Sequence, residues 1–366
     1  MPVWLVRGRL AISLLAGCAV LLPALPAPGP AWAQSGTGTQ AAAPAPADDL
    51  LSQAQLEQLL APIALYPDEL LMQMLMASTY PLEVVQAKRW LGQGQNGALR
   101  GEALATALQA QPWDPSVKSL VPFPDVLGMM NDQLDWTQRL GDALLAQQED
   151  VLNTIQVLRN RAQAAGTLQS GPQQTVTVSQ TVTVAPPVAG APVAVVPPPP
   201  QVIAIAPAQP QQVFVPVYDP SVMFGPWPHP AYPPVFFPPP PAWGLGNAIL
   251  TGMAFAGGVA IVNSLWGWAR PGWGRGSVNI DVNRVNAINV NRTQVTNNVW
   301  RHDVTHRHGV AYRDPAVRDR FRPPAGGGAA VADRDQRRDE LRGRLQPGGG
   351  GLGDGRPGAG DRPGLG

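Results

Sequence analysis

Two spacings of apolar residues divide this 366-residue chain. Over residues 50–165 apolar side chains recur every three or four positions, as in residues 56–63, which is typical of amphipathic helices. From Thr175 the spacing falls to two, as in Thr175-Val176-Thr177-Val178, which is typical of strands. The pattern therefore predicts a mainly α N-terminal helical domain over residues 50–165, followed by a small β unit.

Prolines shape the prediction for the middle of the chain. Residues 175–200 contain a long proline run and are predicted to be an extended, Pro-rich linker. In residues 201–243, apolar runs at 202–205 and 213–218 flank the turn sequence Pro207-Ala208-Gln209-Pro210, which predicts a β-hairpin. Pro216 cannot donate a backbone hydrogen bond, so its strand should lie at an edge. Alternating Val or Ile with Asn and Asp predicts an Asn-rich, strand-like segment within residues 277–314.

Residues 244–268 are rich in Gly and Ala, and residues 245–266 contain no charged side chain. We predict an apolar helix here, because twenty-two residues are enough to cross a bilayer. Small residues recur every fourth position and would form a stripe for close helix contact: Ala248, Gly252, Ala256, Ala260 and Ser264. The alternatives are a membrane-spanning helix, a buried soluble hairpin and a self-associating Gly-rich helix, and the small-residue stripe predicts close helix contact or self-association.

The N-terminus is typical of a bacterial secretory signal. Basic residues precede an apolar stretch, and Ala31 and Ala33 supply the small residues that signal peptidase requires. The first 33 residues are therefore predicted to be removed, so that the mature chain begins at Gln34. Alternatively, Leu15-Ala16-Gly17-Cys18 has the form of a lipoprotein signal in which Cys18 is lipidated, which would anchor the chain. Both interpretations predict export to the periplasm or envelope.

Composition narrows the picture further. The chain has 42 Pro and 39 Gly, which favours long segments that do not pack as an ordinary core. Residues 34–49 are predicted to be a flexible linker and residues 323–366 a disordered, Gly/Arg-rich tail. The net charge of +1 argues against a nucleic-acid partner. Cys18 is the sole cysteine, so a chain beginning at Gln34 has no disulfide.

Several motifs together resemble the bacterial exported family known as domain-of-unknown-function family 3300. The motifs are Tyr66-Pro67-Asp68-Glu69-Leu70-Leu71, Tyr80-Pro81-Leu82-Glu83, Trp113-Asp114-Pro115, Val215-Pro216-Val217-Tyr218-Asp219-Pro220 and Gly309-Val310-Ala311-Tyr312-Arg313-Asp314. The resemblance covers most of the mature chain and implies export and this domain order. It implies no activity, substrate, cofactor or catalytic residue.

Acidic residues are the first candidates for catalysis, because a carboxylate pair can hydrolyse a glycan. They are Asp68, Glu69, Glu83, Asp114, Asp125 and Asp135. Asp68, Asp114 and Asp125 each lie beside a proline at a predicted helix start, which favours helix capping over catalysis. The Gly-x-Gly-x-x-Gly spacing at residues 92–97 follows a predicted helix rather than a strand, so no nucleotide or other cofactor is predicted.

Three of the four histidines lie close together near the C-terminus. His302 and His306 would share one face of a helix, as metal ligands can. Arg301 and Arg307 would repel a cation there, so we predict a solvated polar turn and no metal site.

The Pro- and aromatic-rich residues 220–243 have three interpretations. They could bind another protein's aromatic groove, stack on cell-wall sugars, or fold back as a small core. Together, the patterns predict a non-enzymatic binding or scaffolding protein of the envelope, whose partner is an envelope protein or a cell-wall component. The alternative is a periplasmic hydrolase or metal-dependent enzyme. Convergence of Asp68, Glu83, Asp114 and Asp135 in one cleft would favour the enzyme.

Overall fold

The computed structural model describes residues 50–180, 196–198, 200–239, 252–289 and 295–322. Helices dominate the first of these ranges: α1 (Gln53–Leu60), α2 (Asp68–Ser78), α3 (Pro81–Leu91), α4 (Gly101–Gln109), α5 (Pro115–Leu120), α6 (Pro124–Asp132), α7 (Leu134–Ala146) and α8 (Gln148–Ala164). Three short helices follow later: α9 (Pro220–Met223), α10 (Val282–Ile288) and α11 (Pro315–Arg320).

Local sequence explains where several helices begin. Pro occupies the first turn of α3, α5 and α6, where its missing N–H has no cost. Ser52 forms a capping box with Gln55 at the start of α1. Of the three predicted capping aspartates, Asp114 is confirmed, since its side chain accepts the N–H of Ser116. Asp68 and Asp125 lie in first helical turns without a capping hydrogen bond.

Helix α2 lies at the centre of the core, with nine of its eleven residues buried. It packs against α5, α7 and the strand at residues 269–272. The same hydrophobic cluster continues from the helices into later residues such as Ile203, Tyr218 and Val278. The apolar faces of α1 to α8 are therefore covered partly by the C-terminal half of the chain.

The strands form four antiparallel pairs within the described residues. Their bounds are β1 (Gln174–Gln180), β2 (Gln201–Pro207), β3 (Gln212–Val213), β4 (Pro216–Tyr218), β5 (Met253–Phe255), β6 (Val259–Ala260), β7 (Ala269–Gly272) and β8 (Ser277–Ile280). Strand β1 pairs with β2, β3 with β6, β4 with β5, and β7 with β8. The predicted hairpin between 202–205 and 213–218 is wrong, because each run takes a different and more distant partner.

The predicted helix over residues 245–266 is not found in its described part, residues 252–266. Strands β5 and β6 and a 3-10 turn at Asn263–Leu265 replace it. Backbone pairing with β4 and β3 satisfies the groups that a helix would have satisfied internally. Gly252, Ala256, Ala260 and Ser264 therefore do not share a helix face, and Ala248 lies outside the described residues. Across the described ranges, no helix has the length and hydropathy needed to span a bilayer.

The strand-like segment predicted within residues 277–314 begins as a strand but continues as a helix. Strand β8 ends at Ile280, and Asp281 then accepts the N–H groups of Asn283 and Arg284 and starts α10. The alternation continued past Asp281, but this N-cap and the burial of Val285 and Ile288 favour a helix. Local capping thus overrides the two-residue period.

The Pro- and aromatic-rich segment packs back on the helices. Trp227 lies beside the Arg161 guanidinium, 5.4 Å from ring centre to cation, and Phe237 meets Trp136 edge to face at 5.2 Å. Tyr232 and Phe236 remain exposed. Of the three interpretations, folding back describes Trp227 and Phe237.

Several predictions fall outside the described residues. They are the signal and its cleavage at Ala31, Ala33 and Gln34, the Cys18 alternative, the linker at 34–49, most of the Pro-rich linker and the tail at 323–366. They remain predictions. The helical domain predicted over residues 50–165 shares its core with later strands.

Candidate functional site

A buried carboxylate on α3 gathers two distant segments. Glu83 is fully buried, and its Oε1 accepts hydrogen bonds from His306 Nδ1 at 2.7 Å and His308 Nε2 at 2.9 Å. Its Oε2 accepts the backbone N–H of Asp114 at 2.7 Å. Glu83 therefore links the start of α5 to the histidine-rich segment around residues 302–308.

The contact with Glu83 affects the pKa of His306 and the backbone conformation of His308. Burial by itself would lower the pKa of His306, but the hydrogen bond and charge of Glu83, with the charges of Asp114 and Asp303, raise the pKa above its ordinary value. His308 adopts a left-handed backbone with φ of 52°, which costs conformational energy for a residue with a Cβ. Its hydrogen bond to Glu83 helps to hold that conformation.

Arg307 anchors the same segment from between the two histidines. It is 2 % exposed and donates to Asp142 Oδ1 at 2.8 Å. It also donates to the carbonyl oxygens of Thr79, Val310 and Ala311. This burial corrects the prediction of a solvated turn, since both His306 and Arg307 are inside the protein.

His302 does not share the contact of His306 with Glu83. Its Nε2 lies 2.9 Å from the Tyr312 hydroxyl, and its ring stacks on Tyr80 with centroids 5.1 Å apart. Burial, reinforced by the charge of Arg307, lowers the pKa of His302 to about 4. Among the described residues, no group of three or more His, Cys, Asp or Glu side chains is arranged to hold a metal ion.

Asp114 is a buried acid of this site whose pKa is raised. It is 8 % exposed, and its Oδ1 accepts the N–H and the hydroxyl of Ser116. Burial raises the pKa of Asp114 to about 6, despite these hydrogen bonds and the charge of His306. The hydrogen bonds that the Asp114 side chain accepts within the described residues go to Oδ1.

Asp114 faces a cavity of about 400 Å³, which we call the Asp114 pocket. Its lining includes the polar residues Asp303, Arg301 and His306, and Val285, Val295 and Val299 contribute apolar surface. Trp268 and Trp300 also line the pocket. The Asn289 Oδ1 atom is buried there without a hydrogen-bond partner in the described chain. Its volume lies in the range of small-molecule sites.

Backbone hydrogen bonds position part of the lining of this pocket. Ile280 donates its N–H to Asn298 O at 2.8 Å, and Trp300 donates its N–H to Val278 O at 2.9 Å. Residues 298–300 therefore extend the β7–β8 pair as a third extended segment. The Trp268 indole, which also lines the pocket, is fixed by donation to Ser119 Oγ at 2.9 Å.

The remaining predicted acids lie elsewhere. Asp68 binds Arg159 at 2.5 Å and accepts the Trp273 indole N–H at 3.1 Å. The Asp135 side chain is 98 % exposed, and Asp125 is exposed at the start of α6. Glu69 accepts the N–H of Gly267. Of the four acids whose convergence would favour an enzyme, only Glu83 and Asp114 meet.

Three residues of this region were not predicted from sequence: His308, Arg307 as a buried anchor, and its partner Asp142. The only local signal was the His-x-His spacing of His306 and His308. Their carboxylate partner lies more than 200 positions earlier in the chain, so no local pattern could identify it.

Comparison with known proteins places the chain in a family. A family model described as protein of unknown function DUF3300 matches residues 52–308, so this chain belongs to that family. An uncharacterised protein of Escherichia coli strain K12 named YacH is 36 % identical over 314 residues, which cover 74 % of this chain and 50 % of YacH. The chain thus spans about half the length of that curated relative. No solved structure matches it.

Proposed function

We propose that this chain is exported and acts in the cell envelope as a non-enzymatic binding protein, with the Asp114 pocket as its ligand site. The observation that carries the proposal is the state of Asp114. Asp114 is 8 % exposed and lines a cavity of about 400 Å³, and the hydrogen bonds that its side chain accepts within the described residues go to Oδ1. Oδ2 is therefore the oxygen that can accept from a ligand in the cavity, and a hydrogen bond to a carboxylate is stronger than one between neutral groups.

The hydrogen bonding around Glu83 favours binding over catalysis. A general base must be within hydrogen-bond reach of the substrate proton that it removes. Glu83 is fully buried, and both of its oxygens accept hydrogen bonds from the protein. Asp114 Oδ1 is engaged in capping α5. These acids therefore support the structure of the pocket, and Oδ2 of Asp114 is left to contact a ligand.

One contact supports the alternative of a periplasmic hydrolase or metal-dependent enzyme acting on an envelope component. A carboxylate that accepts from one histidine nitrogen can orient the ring so that the other nitrogen acts as a general base. Glu83 makes this contact with His306, and His306 also lines the Asp114 pocket. The hydrolase is therefore the second candidate.

A photo-crosslinking amino acid at Thr296, an exposed residue of the pocket, tests the proposal in intact envelopes. We expect a specific adduct whose yield falls in Asp114→Asn and not in Asp135→Asn, the exposed control. The captured ligand should be chemically intact. Turnover of that ligand by the purified chain, abolished by His306→Gln, would establish the hydrolase instead. An adduct that is equally abundant in both Asp variants would refute the pocket as the binding site.

The partner proposed on this basis is an envelope protein or a cell-wall component, and no nucleic acid is proposed because the net charge is +1. Self-association through residues 245–266 and membrane contact also remain proposals. A small-residue stripe on a helix does not support them, because residues 253–255 and 259–260 are strands.

A further inference from the structure

The charges that line the Asp114 pocket indicate what kind of ligand fits it. Asp114 and Asp303 contribute two carboxylates, Arg301 contributes a guanidinium, and His306 contributes an imidazole that is paired with Glu83. The lining therefore presents charges of both signs rather than one, which favours an uncharged ligand over an ammonium or a phosphate.

The unpaired atoms of the pocket indicate which polar groups that ligand carries. Oδ1 of Asn289 is buried without a hydrogen-bond partner in the described residues, and the capping hydrogen bonds of Asp114 engage its Oδ1 and leave Oδ2 to accept from a ligand. Both residues line the cavity. Hydroxyl groups are neutral and can donate to two such acceptors, so a polyhydroxylated ligand would satisfy both.

Aromatic and aliphatic surface completes the lining. Trp268 and Trp300 contribute indole surface, and Val285 and Val295 contribute branched aliphatic surface. A sugar ring combines hydroxyl groups with C–H faces, and aromatic rings provide large, rigid contact surface for such faces. We propose that the Asp114 pocket binds a neutral sugar ring of a glycan, an inference that rests on the proposed binding function.

Titration calorimetry with the purified full chain and neutral oligosaccharides tests the inference directly. The probes are N,N′-diacetylchitobiose, cellobiose and maltose. We expect at least one to bind, and Asp114→Asn to weaken its affinity roughly tenfold or more, because a hydrogen bond to a charged acceptor is lost. Trp300→Leu should weaken binding about fivefold by removing aromatic contact. Asp135→Asn and Tyr232→Leu, which alter exposed residues outside the pocket, should bind as the unmodified chain does.

Thr296→Trp is a second variant, chosen so that a loss of binding can be distinguished from misfolding. Thr296 is exposed at the pocket, so the substitution should block the cavity without removing a buried contact. Its thermal unfolding should match that of the unmodified chain while sugar affinity falls. Sugar binding that survives both Thr296→Trp and Asp114→Asn would overturn the assignment to this pocket.

The outcomes also separate this inference from the proposed function. If no sugar binds but the Thr296 crosslinker still captures a ligand that depends on Asp114, the glycan inference is wrong and the binding function stands. If neither sugar binding nor an Asp114-dependent adduct is found, both are wrong.

Discussion

Removing the carboxylate of Asp142 should release the C-terminal segment from the helices. Asp142 lies on α7 and is 7 % exposed, and its partner Arg307 is 2 % exposed. In Asp142→Ala the guanidinium would keep its carbonyl acceptors and its contact with the Tyr312 ring at 4.4 Å. It would nevertheless be a buried cation without a counter-charge, a state that proteins disfavour strongly.

The expected magnitude follows from this burial. Loss of one partner of a buried ion pair typically costs about 3–5 kcal/mol, whereas an exposed pair contributes less than about 1 kcal/mol. Asp135 provides the matched control, because its side chain is 98 % exposed and lies 3.5 Å from Arg313. We therefore expect Asp142→Ala to lower the free energy of unfolding by several kcal/mol more than Asp135→Ala.

Urea denaturation followed by tryptophan fluorescence measures the global cost, and hydrogen exchange of residues 302–320 shows whether that segment opens first. The double variant Asp142→Ala with Arg307→Met leaves no unpaired cation, so it should be more stable than the sum of the two single changes predicts. Equal costs for Asp142→Ala and Asp135→Ala, or strict additivity in the double variant, would show that the pair is not buried in solution.

Three further predictions address pH, packing and processing. Burial raises the pKa of the Glu69 carboxyl from 4.5 to about 8. The stability that this group contributes is therefore full below about pH 4.5 and is lost as the pH rises through 8. Between pH 5 and pH 9, urea titrations should show a smaller loss of unfolding free energy in Glu69→Gln than in the unmodified chain. A Cβ at Gly141 would overlap the carbonyl at the end of α2, so Gly141→Ala should lower the free energy of unfolding by about 1–3 kcal/mol. A Cβ at Gly128 would meet only the flexible end of a lysine side chain, so Gly128→Ala should be tolerated. Intact mass of the envelope protein should place its first residue at Gln34, and a lipidated Cys18 would contradict that cleavage.

Sequence patterns could predict those parts of the fold that depend on neighbouring residues. Apolar residues at three- and four-residue spacing identified the helical region, and Trp113-Asp114-Pro115 identified the start of α5 because a cap and its helix are adjacent in the chain. The same locality explains the error after Ile280. An alternating run continued there, but Asp281 is also a helix cap, and two local signals competed.

Strand pairing could not be predicted in this way. Strands β3 and β4 contain two and three residues, too few to specify a partner by their own pattern. Their partners lie about forty residues away, within a segment whose Gly and Ala content was more typical of a close-packed helix. The small residues there permit either conformation, and pairing with β3 and β4 decides between them.

The candidate site shows the same division between local and distant information. Asp114 was predicted as a helix cap, and that role occupies its Oδ1. What makes Asp114 a candidate for binding is the cavity that it lines, and distant residues such as Trp268, Trp300 and His306 form the rest of that lining. Glu83 was identified as one acid among six, but its role depends on His306 and His308, which reach it only after the chain has folded. A carboxylate buried by such distant partners can shape a pocket without contacting the ligand. The residue to which ligand binding should be most sensitive is therefore Asp114, even though the hydrogen bonds to His306 and His308 are made by Glu83.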